Sequence, residues 1–184
     1  MIEEMITKLE RAGFDEDILS LSTLLASGGA DSLEDYLKKA DPKKVVETGT
    51  QKGLSSALIA MYAGEVNTFD VVDHKIRHKV WECLGVRDKI NSYIVESDED
   101  KGEIIKGLDF DFAFIDGDHS YEGCLFDWVC VERCGNVLVH DYGRDCRVIQ
   151  EFPGVNKVID ELDDREWDKE FEGLYAYLRR RECT

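Results

Sequence analysis

The chain has no apolar run approaching the ~20 residues that a membrane-spanning helix requires, so a membrane partner is not expected. Basic residues are few: 23 lysines and arginines stand against 40 acids, for a formal net charge of −17. A surface this acidic repels phosphate backbones and anionic lipid, which removes nucleic acid from the expected partners. The one basic cluster, Arg179-Arg180-Arg181, reads as a strand end in solvent. Six cysteines are present, without the paired C-x-x-C spacing of a structural zinc site. Cys130 and Cys134 fall one helical turn apart and are expected to pack as small apolar residues. The opening Met1-Ile2-Glu3-Glu4-Met5 has neither the basic start nor the apolar core of a secretory signal, so the thiols are expected reduced and the protein cytoplasmic. Repeats, low-complexity tracts and linker-like stretches are also missing. One domain over 1–184 is therefore expected, with N-terminal helices over 1–41 that could form a lid and a cofactor-binding core over 42–184.

Two further absences concern glycine. The segment Val45-Val46-Glu47-Thr48-Gly49-Thr50-Gln51-Lys52-Gly53-Leu54-Ser55 reads as a buried strand that turns through two glycines into a helix. Such a turn lets the backbone bend tightly and approach a ligand, and the helix that follows offers unpaired N–H groups. It carries neither the G-x-G-x-x-G of a dinucleotide site nor the G-x-x-x-x-G-K-[ST] of a phosphate loop, which disfavours a nicotinamide-dependent oxidoreductase. Its E-x-G-x-x-x-G places an acid at the mouth, unfavourable to a pyrophosphate and favourable to a ligand with an ammonium group.

Helical spacing of Ile2, Met5, Ile6 and Leu9, then of Ile18, Leu21, Leu24 and Leu25, predicts two short helices broken at Gly13. A third is expected after a cap at Asp31 or Ser32. Strands over Val45–Thr48, Val66–Val72, Ser92–Val95, Phe110–Ile115 and Asn136–His140 then alternate with helices over Leu54–Ala63, Lys75–Leu84, Gly102–Leu108 and Cys124–Arg133. After Pro153 come one more helix and a closing antiparallel pair, Trp167–Phe171 and Leu174–Leu178. This order predicts an α/β, Rossmann-like fold: a mostly parallel sheet with helices on both faces and ligands beyond the carboxyl ends of the strands.

Chemistry-bearing residues gather at those ends. Asp70 follows Gly49 by 21 positions, the spacing of an acid that accepts hydrogen bonds from a ribose diol, with Asp73 as the alternative. Asp98, after the third strand, can reach an adenine edge. The strand Phe112-Ala113-Phe114-Ile115 runs into Asp116-Gly117-Asp118-His119, and Val137-Leu138-Val139 into His140-Asp141. Carboxylates and imidazoles converging there can bind a cation or move protons. Oxygen-rich sets with a histidine suit magnesium, manganese or iron; cofactor and substrate binding without a metal is the competing reading.

Taken together, Glu47-x-Gly49-x-x-x-Gly53-x-Ser55, Asp70, Ile115-Asp116-Gly117-Asp118-His119-x-Tyr121, His140-Asp141 and Phe152-Pro153-Gly154-Val155 resemble a class I S-adenosylmethionine-dependent methyltransferase, of the small group related to catechol-type O-methyltransferases and cephalosporin hydroxylase. The resemblance implies a seven-stranded sheet with one antiparallel strand and, as activity, O-methylation of a small molecule. It implies that Glu47, Gly49, Thr50, Gly53 and Ser55 surround the methionine portion of the donor, Asp70 holds the ribose, Asp98 lies by the adenine and Asp116 sits near the sulfonium. Asp116, His140 and Asp141 fall where metal-dependent relatives keep their ligands, and His140 or His119 could instead serve as general base. A donor-binding protein without transferase activity and a metal-dependent oxygenase-like enzyme are the alternatives. The methyl acceptor, the need for a metal and a homo-oligomeric state stay open.

Overall fold

The computed structural model describes residues 2–14, 29–143 and 145–182. Helices α1 (Ile2–Arg11) and α2 (Gly29–Ala40) precede a repeating order: β1 (Lys44–Thr48), α3 (Leu54–Tyr62), β2 (Glu65–Asp70), α4 (Ile76–Leu84), β3 (Ile90–Ile94), α5 (Asp98–Lys106), β4 (Phe112–Ile115), α6 (Tyr121–Val131) and β5 (Asn136–His140). Two helices, α7 (Cys146–Glu151) and α8 (Pro153–Glu161), lead to β6 (Trp167–Glu172) and β7 (Tyr175–Arg180). The seven strands form one sheet in the order β3-β2-β1-β4-β5-β7-β6. All neighbours through β5 are parallel, and β7 runs antiparallel to both β5 and β6. The Rossmann-like sheet with one reversed strand is thus as expected.

Alternation along each strand divides the core in two, because successive side chains leave a strand on opposite faces. Val45, Val66, Phe112, Phe114, Leu138, Tyr175 and Tyr177 pack on one face with α1 to α4. Val46, Phe69, Ala113, Ile115, Val137, Val139, Ala176 and Leu178 pack on the other with α5, α6 and α8. The β1 pair Val45 and Val46, both fully buried, shows why a central parallel strand reads as a continuous apolar run. Ile2, Met5, Leu9, Leu33, Tyr36 and Leu37 seat the described parts of the N-terminal segment in the first of these layers. The second expected helix, with Ile18 and Leu25, falls outside the described residues. Among the described residues no helix is long and apolar enough to cross a membrane.

Several boundaries differ from expectation. Helix α2 begins at Gly29, so Asp31 lies in its first turn rather than capping it. Helix α5 begins four residues before Gly102, because the Ser97 side chain accepts a hydrogen bond from the Asp100 amide and caps it. The same device starts α6 at Tyr121, where Ser120 accepts from the Gly123 amide. Strand β2 stops at Asp70 and not Val72, and α7 was not foreseen. Cys130 and Cys134 do pack against the second core layer.

Candidate active site

Strands β1, β2 and β4 end together, and the loops that leave them surround a cleft of about 710 Å³. Gly49 leaves β1 with φ of 91°, and an added Cβ would lie 1.9 Å from the carbonyl oxygen of Asp116. The glycine is therefore required by the approach of two protein backbones, β1 to β4, rather than by a ligand alone. Gly53 has φ of 80° and abuts Trp81, whose indole N–H donates to its carbonyl at 2.8 Å. Helix α4 thereby pins the turn. Gly53 is also the N-cap of α3 and supplies no side-chain cap, so the first amides of that helix are left for a ligand or water.

Of the residues singled out in the sequence, Gly49, Thr50, Gly53, Ser55, Asp70, Asp98, Asp116, His119 and Asp141 line this cleft. Glu47 and His140 lie behind it, 0% and 1% exposed. The Glu47 carboxylate accepts hydrogen bonds from the hydroxyls of Ser56 and, at 2.6 Å, Thr68. Its Oε1 has no partner among the described residues. Burial outweighs these hydrogen bonds and pushes its carboxyl up to about 7. A carboxyl protonated in the fold up to about 7, and only up to about 4.5 when unfolded, costs stability as pH rises between those values. Wild-type stability is accordingly expected to fall relative to that of Glu47→Gln by about 1.4 kcal/mol per pH unit across the window, read from urea unfolding at pH 5, 6 and 7.

Asp70 closes β2 and accepts from the amides of Gln51 at 2.7 Å and Val72 at 2.9 Å. Each carboxylate oxygen keeps a second lone pair. The buried Arg77 bridges the two acids, 3.7 Å from Asp70 and 3.2 Å from Asp73; Asp73 is further held by Lys75 and is not part of the cleft wall, whereas Asp70 is.

At the far side, β4 and β5 deliver two acids and two imidazoles. His140 Nδ1 lies 3.1 Å from Asp116 and 3.2 Å from Asp141, and His119 Nε2 lies 3.0 Å from Asp141 and 3.7 Å from Asp116. The neighbouring carboxylates of Asp116 and Asp141 lift His119 to about 9. Burial of His140 works against its charge, yet the same two carboxylates lift it to about 10. Asp141 is itself buried, which opposes its ionisation, but the imidazoles hold it down to about 2. The two carboxylates thus favour the charged form of both imidazoles. Among the described residues, Asp116, His119 and Asp141 offer ligand atoms that lie within 4.8 Å of one another. In that grouping His119 stands where the sequence reading put His140.

Sequence reasoning missed Lys101 and Asp127, which form an ion pair in the cleft wall. Lys101 Nζ lies 2.5 Å from Asp127 and 2.9 Å from Asp98, with Asp127 fully buried. Asp127 also fills the space beside Gly117, where a Cβ would meet its Oδ2 at 2.9 Å. Both residues are interior positions of helices, where a charged side chain ordinarily signals only a solvated face, and no spacing marks them as partners.

Residues 46–142 match a protein family described as "Methyltransferase domain". The chain belongs to that family. A search of the curated proteins found no match. Among solved structures the methyltransferase is similar to an O-methyltransferase from Bacillus cereus in complex with S-adenosylhomocysteine, at 15% identity and a TM-score of 0.65, covering 98% of this chain and 90% of that one. It is similar to the O-methyltransferase TomG from Streptomyces achromogenes, involved in tomaymycin synthesis and solved with S-adenosylmethionine, at 12% identity, a TM-score of 0.66, and 98% and 89% coverage. The S-adenosylhomocysteine-bound methyltransferase PaMTH1 of Podospora anserina matches at 14% identity and a TM-score of 0.66, with 98% and 87% covered. By family and by fold, the methyltransferase is a class I enzyme.

Proposed function

We propose that this methyltransferase uses S-adenosylmethionine to methylate a hydroxyl oxygen of a small molecule. The observation that carries the reading is the convergence, in one cleft, of an uncapped helix N-terminus, a ribose-competent acid and an acid–imidazole cluster. The first amides of α3 at Gly53 to Ser55 suit the donor's carboxylate. Glu47, buried behind the turn, holds α3 in place through Ser56, while Asp70 suits the ribose diol and Asp98 the adenine edge. When bound, the donor supplies an electrophilic methyl group on a sulfonium. The protein contributes by positioning: Gly49 sets Asp116 against the β1 turn, and Asp116 places negative charge at the reactive end. The structural neighbours solved with donor or product, O-methyltransferases among them, favour the same reading.

Two carboxylates and an imidazole also form a donor set for a hard or borderline divalent cation such as magnesium, manganese or iron. The residues fit one: Asp141 Oδ1 is buried without a hydrogen-bond partner. Asp116, His119 and Asp141 would hold it, and a cation there would acidify and orient an acceptor hydroxyl.

Calorimetry with S-adenosylmethionine and S-adenosylhomocysteine tests the donor, and formation of S-adenosylhomocysteine in the presence of catechol tests transfer to a hydroxyl. Binding of neither nucleoside would sink the proposal. Asp70→Ala is expected to weaken S-adenosylhomocysteine binding by about 10- to 100-fold, the loss of one to two hydrogen bonds to a charged acceptor at about 1.5–3 kcal/mol each. Unchanged affinity would remove Asp70 from the ribose site.

A further inference from the structure

One basic side chain is drawn into the wall of the cleft. Lys101, in the first turn of α5, is only 8% exposed. Its Nζ lies 2.5 Å from the carboxylate of Asp127 on α6 and 2.9 Å from that of Asp98, at the start of its own helix. Burial works against a charge on this amine, yet Asp127 and Asp98 raise its pKa above the ordinary lysine value. The group is an ammonium.

Stability alone gives no account of the pair. Asp127 is fully buried, and a buried ion pair is commonly no more stable than well-packed apolar residues in its place. Its position is more telling, because Lys101, Asp98 and Asp127 line the cleft together with the apolar Val71 and Val95. An ammonium has three donors. Asp127 and Asp98 take two of them, and among the described residues no third acceptor bonds the group. The Asp98 side chain is half exposed and keeps lone pairs for a further donor. A donor and an acceptor thus stand side by side at the cleft, and Asp127 fixes the donor from behind.

That arrangement complements one edge of adenine, where the ring nitrogen N1 accepts and the neighbouring exocyclic amine donates. Hypoxanthine reverses both positions: its N1 carries a hydrogen and its C6 an oxygen. With the ribose held at Asp70 the base cannot turn over to restore the match, so donor would face donor and acceptor face acceptor. Sites built on buried polar partners reject such mismatches strongly, because the partners are left unpaired. We propose, resting on the donor reading above, that Lys101 and Asp98 together read the adenine of S-adenosylmethionine. Lys101 donates to N1, Asp98 accepts from the exocyclic amine, and Asp127 is the positioning residue behind Lys101.

The test is calorimetry of the full chain with S-adenosylhomocysteine, its inosine counterpart and its 1-deaza counterpart, in which a carbon replaces N1. Wild type is expected to bind the 1-deaza compound about 10- to 100-fold more weakly than S-adenosylhomocysteine, the loss of one hydrogen bond to a charged donor. The inosine compound should bind more weakly still. In Lys101→Met/Asp127→Asn the loss on removing N1 should shrink to about threefold or less. Removing both charges avoids the unpaired buried aspartate that Lys101→Met alone would leave, and the wild-type comparison needs no variant at all. Asp98→Asn, at a half-exposed position, should narrow the preference for adenine over hypoxanthine by about 10-fold, since its amide can donate to the oxygen. Equal wild-type affinity for S-adenosylhomocysteine and the 1-deaza compound overturns the proposal, as does a loss that persists undiminished in the folded double variant. Binding of none of the three ligands would overturn the donor reading and this proposal with it. Tight binding of S-adenosylhomocysteine without discrimination among bases overturns this proposal alone.

Discussion

Gly49→Ala is expected to lower stability by about 2–5 kcal/mol and to abolish donor binding in whatever fraction still folds. Two costs add. A non-glycine residue at φ of 91° leaves the favoured regions at about 1–2 kcal/mol. The new methyl would also sit 1.9 Å from the Asp116 carbonyl oxygen and 2.4 Å from its carbon. Main-chain atoms cannot change rotamer, so relief requires β1 and β4 to separate where Thr48 pairs with Ile115, a strain of about 1–3 kcal/mol. Gly85→Ala supplies the control. Gly85 has φ of 74° with nothing within 4 Å of an added Cβ, so it should show the first cost alone. Urea unfolding of both variants separates the terms, and equal losses at the two sites would show that the close approach of β1 to β4 carries no cost.

That geometry bears on what the sequence could disclose. Two strand ends were legible because an apolar run that stops at a polar, chemistry-bearing residue marks both a boundary and a site: Ile115 into Asp116 and Val139 into His140 both fall at the carboxyl edge of the sheet, whereas Val71 and Val72 prolonged the apolar run past the true end of β2 at Asp70. The two glycines were legible as a turn, but their reason was not. Asp116 is 67 positions after Gly49, and only the parallel pairing of β1 with β4 shows that the two backbones touch. The same limit hid Lys101 and Asp127. Helix starts were missed where polar caps outweighed apolar periodicity: Ser97-Asp98-Glu99-Asp100 reads as an acidic loop until Ser97 is seen to accept the Asp100 amide. Protonation was the least legible property. His119 is a histidine of ordinary sequence context, and two carboxylates, one of them 22 residues away in the chain, favour its charged form.

Asp141→Asn is expected to lower methyl transfer to catechol by about 10²- to 10³-fold, while S-adenosylhomocysteine affinity changes no more than about threefold. Asp141 is the hub of the cluster, with one oxygen 3.0 Å from His119 and 3.2 Å from His140, and it is only 3% exposed. Asparagine keeps the shape and removes the charge. It also suits the backbone, since Asp141 sits at φ of 61° and asparagine enters this left-handed region more readily than any residue but glycine. Alanine would add strain to the lost charge and confuse the two. Without the carboxylate the imidazoles lose one of their two anionic partners, and any divalent cation loses one of three protein ligands. Chelation distinguishes these roles in the wild type. If a cation is held there, EDTA should abolish turnover and magnesium or manganese restore it, and in Asp141→Asn neither should move the residual rate. If EDTA leaves the wild-type rate unchanged while Asp141→Asn still slows it, the carboxylate acts through His119 and His140 alone. Full turnover in Asp141→Asn would place the reacting oxygen elsewhere in the cleft.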